Sequence, residues 1–283
     1  MGGVRGILVT SVFSFFAALP ASARDVLCYI PGAGGGGDSA MREVPATLSK
    51  RGIPTLSFDV GDTGSIQNRA RIFTALLMQE IKKDPEFRCH VLAYSMGGVT
   101  IRYALNHLRV PDMNQRRNRP VTDFVASVTS FSVPHCGTPL ARLGRGLPIG
   151  EAEEQLSDDR MIAFNSPAYP ETYSPIVEGI PFYSFRTWVD SAWKTPDALK
   201  HAGWNLLTDT LRLMGVDDRS DGVVPLQSQG FGQILADIRV PHDYFANGAG
   251  LTPGPANVYG WYWHWLHGRV KTPLQPGIEF RKL

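Results

Sequence analysis

The stretch best suited to chemistry runs from Cys89 to Val99 and reads Cys-His-Val-Leu-Ala-Tyr-Ser-Met-Gly-Gly-Val. An apolar run, Val91-Leu92-Ala93, enters a turn that holds one serine, Ser95. Two glycines then open a segment with apolar positions at Val99, Tyr103 and Leu105. The pattern predicts a strand, a sharp turn and a helix. A serine nucleophile needs that shape: it must stand exposed on a strained turn while the N–H of the next residue, Met96, faces the oxygen of the carbonyl under attack. Small neighbours let the strand and the helix pass close behind it. The simpler alternative is a strand-to-helix loop in which Ser95 only caps the helix.

A second stretch could hold an anion. The run Asp25 to Ile30 reads as a buried parallel strand and ends at Pro31-Gly32-Ala33-Gly34-Gly35-Gly36-Gly37-Asp38-Ser39, whose glycines leave backbone amides uncovered. Gly32-x-Gly34-x-x-Gly37 fits a dinucleotide fingerprint, with Asp59 lying 22 residues beyond Gly37. Three observations oppose that reading: a signal-like amino-terminal segment would remove the chain from the cytosolic cofactor pool, Pro45 falls a few residues into the helix that should follow, and the later motifs stay unexplained. No metal is expected, because there is no H-E-x-x-H, no C-x-x-C, and the acidic residues are scattered.

The elements that must position these loops alternate. After the first strand come a helix around Ala40 to Lys50, a strand from Thr55 to Asp59, and a helix whose apolar face is Ile66, Ala70, Phe73, Leu77 and Ile81. The serine strand follows, then Phe124 to Val133, Pro181 to Trp188 and Ile234 to Val240 as further strands. Strands alternating with helices predict an α/β fold with a mostly parallel, doubly wound sheet, whose ligands bind at the carboxyl ends of the strands. Ser95 and the glycine loop both fall there.

Ala93-Tyr94-Ser95-Met96-Gly97 resembles the G-x-S-x-G nucleophile elbow of the α/β-hydrolases, with alanine in the first position as in some bacterial lipases. Pro134-His135-Cys136-Gly137-Thr138-Pro139 resembles the Pro-His-x-Gly-Thr-Pro loop of that lipase branch, with Cys136 where arginine is common. His135 is read as structural or site-lining. Ser220-Asp221-Gly222-Val223-Val224-Pro225 resembles the loop that carries the catalytic acid, so the resemblance implies Asp221 as acid; Asp217 and Asp218 are neighbours without the motif. His242, just beyond the last strand, stands where the fold places its base. His90, His107 and His201 lie outside the Ser, Asp, His chain order, and His264 and His267 sit in an aromatic segment read as a packed or interfacial helix. The resemblance further implies an oxyanion hole from the N–H groups of Ala33 and Met96, with Pro31 where the family usually has histidine. It implies no cofactor, and calcium is left out because Asp243 does not stand at the family's ligand position. The implied function is cleavage of an ester or lipid substrate through Ser95, Asp221 and His242 by way of an acyl-enzyme. Acyl transfer or polyester depolymerisation on the same triad is the alternative, and a dinucleotide-binding or non-catalytic protein is a more distant one.

Length and composition agree with one large domain: 283 residues, 43% hydrophobic, 19% charged, formal net charge +2. That balance gives no reason to expect nucleic acid, and Arg116-Arg117-Asn118-Arg119 reads as a solvated loop. Residues 1–23 resemble a secretory signal peptide: Arg5, the apolar run Gly6 to Leu19, and Ala21-Ser22-Ala23 before Arg24. The run is shorter than the ~20 residues of a spanning helix. The expectation is therefore a secreted or periplasmic protein with no transmembrane segment after signal removal and a hydrolase domain over 24–283. Regular alternation weakens over about 141–215, where lipase-like folds carry a lid-like helical insertion able to contact a lipid interface; an ordinary packed insertion fits equally. Three cysteines would remain, Cys28, Cys89 and Cys136; an oxidising compartment would allow one disulfide with one thiol left over, and no bridge is predicted.

Overall fold

The computed structural model describes residues 25–33, 37–61, 64–112, 117–143, 154–189, 198–216, 219–245 and 255–269. The expected signal segment, Gly34 to Gly36, and Asp217 and Asp218 lie outside them. Six strands form one parallel sheet: β1 (Asp25–Ile30), β2 (Thr55–Ser57), β3 (Arg88–Tyr94), β6 (Val125–Phe131), β7 (Phe182–Thr187) and β8 (Gln233–Ile238). Their order across the sheet is β2-β1-β3-β6-β7-β8. Both faces are covered, which explains why β1 and β3 read as nearly unbroken apolar runs. Leu27 and Tyr29 of β1 enter one core with Leu92, Phe131 and Phe185, while Cys28 and Ile30 enter the other with Val91 and Ala93.

Helices α1 (Gly37–Lys50), α2 (Ile66–Lys83) and α3 (Met96–His107) connect the first strands. The predicted stripe of α2 is real: Ile66, Ala70, Phe73 and Leu77 are buried, with Ile66, Phe73 and Leu77 each contributing about 1.5–3 kcal/mol. Ser65 caps this helix by accepting the Asn68 N–H at 3.1 Å. The helix α1 does not stop for Pro45 but runs through it, with Val44 and Leu48 fully buried on the sheet. Tertiary burial outweighs the lost backbone bond, so Pro45 is no argument against a helix after the glycine loop. Asp59 has a local partner in any case: its Oδ1 accepts the Gly61 N–H at 3.0 Å and closes a turn.

Two further expectations are corrected. The segment around Arg117 is not a plain loop but the strand β5 (Arg117–Pro120), paired antiparallel with β4 (Arg109–Asp112) in a small separate sheet. Arg119 reaches Asp123 at 2.9 Å and lies over the Phe124 ring, so the basic residues are solvated yet ordered. Cys28 and Cys89 are joined as a disulfide between neighbouring strands, Cα atoms 5.8 Å apart, and Cys136 is free and exposed. Both cysteines point to the α2–α3 face from adjacent parallel strands, a juxtaposition that sequence spacing does not reveal.

The region 141–215 is divided by β7, a full member of the sheet. Before β7 come the single turn α4 (Leu140–Leu143) and α5 (Asp158–Asn165); after it comes α6 (Ala198–Leu213). Met161 and Phe164 of α5 pack with Met96 and Val99 of α3. On α6, Leu211 is buried while Leu206 and Leu213 face outward. The aromatic segment forms α7 (Pro255–Leu266), which buries Val258, Tyr259, Tyr262 and Trp263 against the sheet: a packed helix. No helix among the described residues is long and apolar enough to cross a membrane.

Candidate active site

Ser95 sits between β3 and α3 with φ 49° and ψ −129°, a conformation that a non-glycine residue adopts at a cost of about 1–3 kcal/mol. The turn is over-determined from three sides. Its N–H donates to Phe131 O at 3.0 Å, fixing the serine to β6. A Cβ on Gly97 would lie 2.6 Å from Ile30 O, and one on Gly98 would lie 2.4 Å from a Val133 methyl, so both positions must be glycine for α3 to pass this closely. Ser95 does not cap α3 through its side chain; its Oγ turns instead to His242 Nε2 at 3.0 Å.

His242 Nδ1 in turn lies 2.8 Å from Asp221 Oδ2. A carboxylate can only accept, so Nδ1 carries the proton and Nε2 presents a lone pair to the Ser95 hydroxyl. The sequence-predicted Ser95, Asp221 and His242 are thus brought together in one chain of hydrogen bonds. Asp221 is fully buried, and its charge is matched by donors: Oδ1 accepts the N–H groups of Val223 (3.0 Å) and Val224 (2.8 Å), while Oδ2 faces Thr187 Oγ1 (2.8 Å) and Gln229 Nε2 (3.4 Å). The Asp-Gly turn supplies the first pair, and β7 and the turn after Pro225 supply the second. His242 is also fixed through its backbone: its N–H donates to Asp221 O at 2.9 Å, and the Tyr94 hydroxyl donates to His242 O at 2.9 Å. Burial holds the Tyr94 phenol well above its ordinary pKa, so it remains a donor.

The loop after β1 lies against the serine. A Cβ on Gly32 would come within 2.8 Å of Ser95 Cβ, so the backbone itself touches the elbow. Arg69 of α2, fully buried, reaches behind this loop and donates to Pro31 O at 2.7 Å, to Gly32 O at 3.0 Å and to Gly61 O. In a trans peptide the N–H points opposite to the C=O. With Gly32 C=O turned to Arg69, the Ala33 N–H of the same peptide points away from the guanidinium. Met96, the other expected donor, is the first residue of α3, where backbone N–H groups have no partner within the helix.

His135 is not part of this chain. It is buried, stacks on Phe231 at 4.7 Å, and lies 3.4 Å from the Arg102 guanidinium. Burial, aided by the Arg102 charge, pushes its pKa well below the ordinary value, so it is neutral at pH 7. Its loop braces the acid loop: His135 N–H donates to Ser228 O at 2.9 Å, Ser228 Oγ donates to Gly137 O at 2.6 Å, and the Thr138 hydroxyl donates to Val223 O. Sequence patterns do not mark Tyr94, Thr187, Gln229 or Arg69 as site residues. Only Tyr94 carried a signal, as the neighbour of the serine.

No protein-family model matches the chain. Triacylglycerol lipase 2 of Saccharomyces cerevisiae is 31% identical over 98 residues, which take in 33% of this chain; the chain covers only 27% of that protein's length. Lipase BlEst2 of Bacillus licheniformis in its mature form superimposes with a TM-score of 0.66 at 16% identity, over 88% of this chain and 94% of that one. The metagenomic carboxyl esterase MGS0156 gives 0.63 at 18% identity, over 89% and 78%. EstA of Clostridium botulinum gives 0.59 at 17% identity, over 91% and 90%. With its parallel sheet flanked by helices and these likenesses over 88% to 91% of the chain, this protein has the α/β-hydrolase fold of bacterial lipases and esterases.

Proposed function

We propose that the chain is an exported serine hydrolase that cleaves carboxylic esters, as a lipase or carboxylesterase, through Ser95, His242 and Asp221. The observation that carries the proposal is the 3.0 Å approach of Ser95 Oγ to His242 Nε2 on a strained elbow, with buried Asp221 behind the base. A serine hydroxyl is a weak nucleophile until a base takes its proton as the new bond forms. His242 takes that proton, Ser95 Oγ attacks the ester carbonyl, and Asp221 holds the imidazole in the correct tautomer and stabilises the imidazolium. The developing oxyanion is held by the N–H groups of Met96 and Ala33. His242 then protonates the departing alcohol, and a water activated by the same base releases the acid. Each oxyanion donor in such a site accounts for about 10²–10³ in rate. The names of the structural neighbours support ester substrates, and the outward Leu206 and Leu213 of α6 are candidates for lipid contact.

The test is hydrolysis of short- and long-chain p-nitrophenyl esters together with labelling by a fluorophosphonate. The chain should turn over at least one ester and acquire one label, on Ser95, and Ser95→Ala should lose both. A folded chain that takes the label but hydrolyses no ester would transfer the reading to acyl transfer. One that does neither would overturn it.

A further inference from the structure

At the amino-terminal edge of the sheet, away from Ser95, three potential metal ligands from distant parts of the chain converge. Asp25 opens β1, His90 is the third residue of β3, and His267 follows the end of α7. One donor atom of each lies within 4.8 Å of the other two, and His90 Nε2 stands 3.7 Å from Asp25 Oδ2. We propose that Asp25, His90 and His267 form a site for one zinc ion, with solvent as the fourth ligand.

The protonation pattern supports ligation. His267 Nδ1 is 2.6 Å from Trp263 O. A carbonyl only accepts, so Nδ1 carries the hydrogen and Nε2 keeps its lone pair. His90 Nδ1 is 2.8 Å from Ser127 Oγ, which is itself 3.0 Å from the Tyr262 hydroxyl; a bond from His90 Nδ1–H to Ser127 leaves Nε2 as the ligating atom on the Asp25 side. Metal-bound histidines recurrently engage their outer nitrogen in this way, which fixes both tautomer and ring direction. The Trp263 ring packs edge-on to His90 and 4.0 Å from His267, so both imidazoles are oriented before any ion arrives.

Two imidazoles and one carboxylate suit zinc and exclude calcium and magnesium, which take oxygen ligands. Tetrahedral zinc with bonds of about 2.0–2.1 Å sets its ligand atoms about 3.3 Å apart. The Asp25–His90 pair is already close to that, and His267, just past a helix end, closes the remainder. Asp25 and His90 keep 9% and 12% of their side chains exposed, enough for an ion to enter from solvent. His90 lies five residues before Ser95, about 16 Å along the strand, so the ion would clamp α7 to β1 and β3 without touching the reacting groups.

The test uses the untagged chain, freed of metal with a chelator and dialysed against zinc chloride. Bound zinc per chain and the thermal midpoint are both recorded. The expected result is one zinc per chain and a midpoint that rises with zinc and falls again with EDTA. His267→Gln and Asp25→Asn should lose both effects, while His242→Ala should keep the zinc. Cobalt(II) in the wild-type chain should give the visible absorption of a four-coordinate ion, a readout independent of whether any variant folds. No bound zinc, zinc kept in both His267→Gln and Asp25→Asn, zinc lost only with His242, or a six-coordinate cobalt spectrum would each overturn the proposal.

Discussion

Arg69→Met tests whether the loop after β1 is aimed from behind. Methionine keeps an unbranched apolar stem and removes the donors to Pro31 O, Gly32 O and Gly61 O. Two effects follow, and they separate. For stability, each bond from a charged donor is worth about 1.5–3 kcal/mol. Loss of the three is partly offset by the several kcal/mol no longer needed to keep a cation buried, leaving a net loss of about 3 kcal/mol. For catalysis, the Gly32–Ala33 peptide is no longer held with its C=O inward, and the Ala33 N–H loses its direction. Complete loss of one oxyanion donor costs about 10²–10³. Because the loop still packs on Ser95 through Gly32, the lower end applies, a fall of about 100-fold in kcat. KM should change little, since the N–H acts on the transition state rather than on the ground-state carbonyl. The assay is kcat and KM on a short p-nitrophenyl ester, with circular dichroism to establish folding and Arg69→Lys as an intermediate case. A folded Arg69→Met chain with kcat within about 3-fold of the parent, or with its loss entirely in KM, would refute the reasoning.

Asp221→Asn should lower kcat by about 10⁴ in ester hydrolysis, because the amide can donate to Nδ1 and stabilise the wrong tautomer. Thr187→Val, which removes a hydroxyl 2.8 Å from Asp221 Oδ2, should cost far less, about 10-fold. Alkylation of the denatured but unreduced chain should mark Cys136 alone, and all three cysteines after reduction, read by peptide mass. Replacing Cys28 and Cys89 by alanine should lower stability to denaturant by about 4 kcal/mol, from the loop of 61 residues that the bridge closes. His135 makes stability depend on pH in a defined direction. Its folded pKa is depressed, so its contribution is intact above the unfolded pKa of about 6.5 and is lost as pH falls below it, because the unfolded chain takes up a proton that the folded chain refuses. Denaturant midpoints from pH 7 to 5 should show a slope of up to about 1.4 kcal/mol per pH unit from this group, removed in His135→Gln.

The parts of the site legible in sequence were those with short-range signatures. The elbow announces itself because a strained serine between a strand and a helix demands small residues at fixed offsets, and Gly97 and Gly98 do meet backbone and side chain there. Asp221 announces itself through an Asp-Gly turn whose N–H groups bond its carboxylate. The central strands β1 and β3 were legible because burial on both faces makes them nearly continuous apolar runs. What was hidden depends on contacts across the fold. Thr187 and Gln229 meet Asp221 only because β7 and the turn after Pro225 are neighbours, and Arg69 looks like any polar residue on a helix until the loop folds over it. The helix over Ala40 to Lys50 was legible despite Pro45, because Val44 and Leu48 on either side of it are buried on the sheet. The bridge between Cys28 and Cys89 was missed because strand order, not spacing, makes them adjacent.

The position of β8 gives the site a weak margin. His242 follows this edge strand directly, so the proposed base is carried at the end of the outermost strand of the described sheet, while Asp221 is held by its own turn and by Thr187 of β7, and Ser95 follows a central strand. Among the described residues β8 pairs on one side, with β7, where Arg186 grips Asp237 with two bonds of 2.7 Å. Edge elements open by local fluctuation at lower free energy than a whole domain unfolds. Fraying of β8 would draw His242 away from Ser95 and Asp221 while the centre of the sheet stays intact. Heat should therefore abolish the proposed ester hydrolysis before it melts the protein, and the gap between the inactivation curve and the circular dichroism curve measures how firmly Arg186 holds that edge.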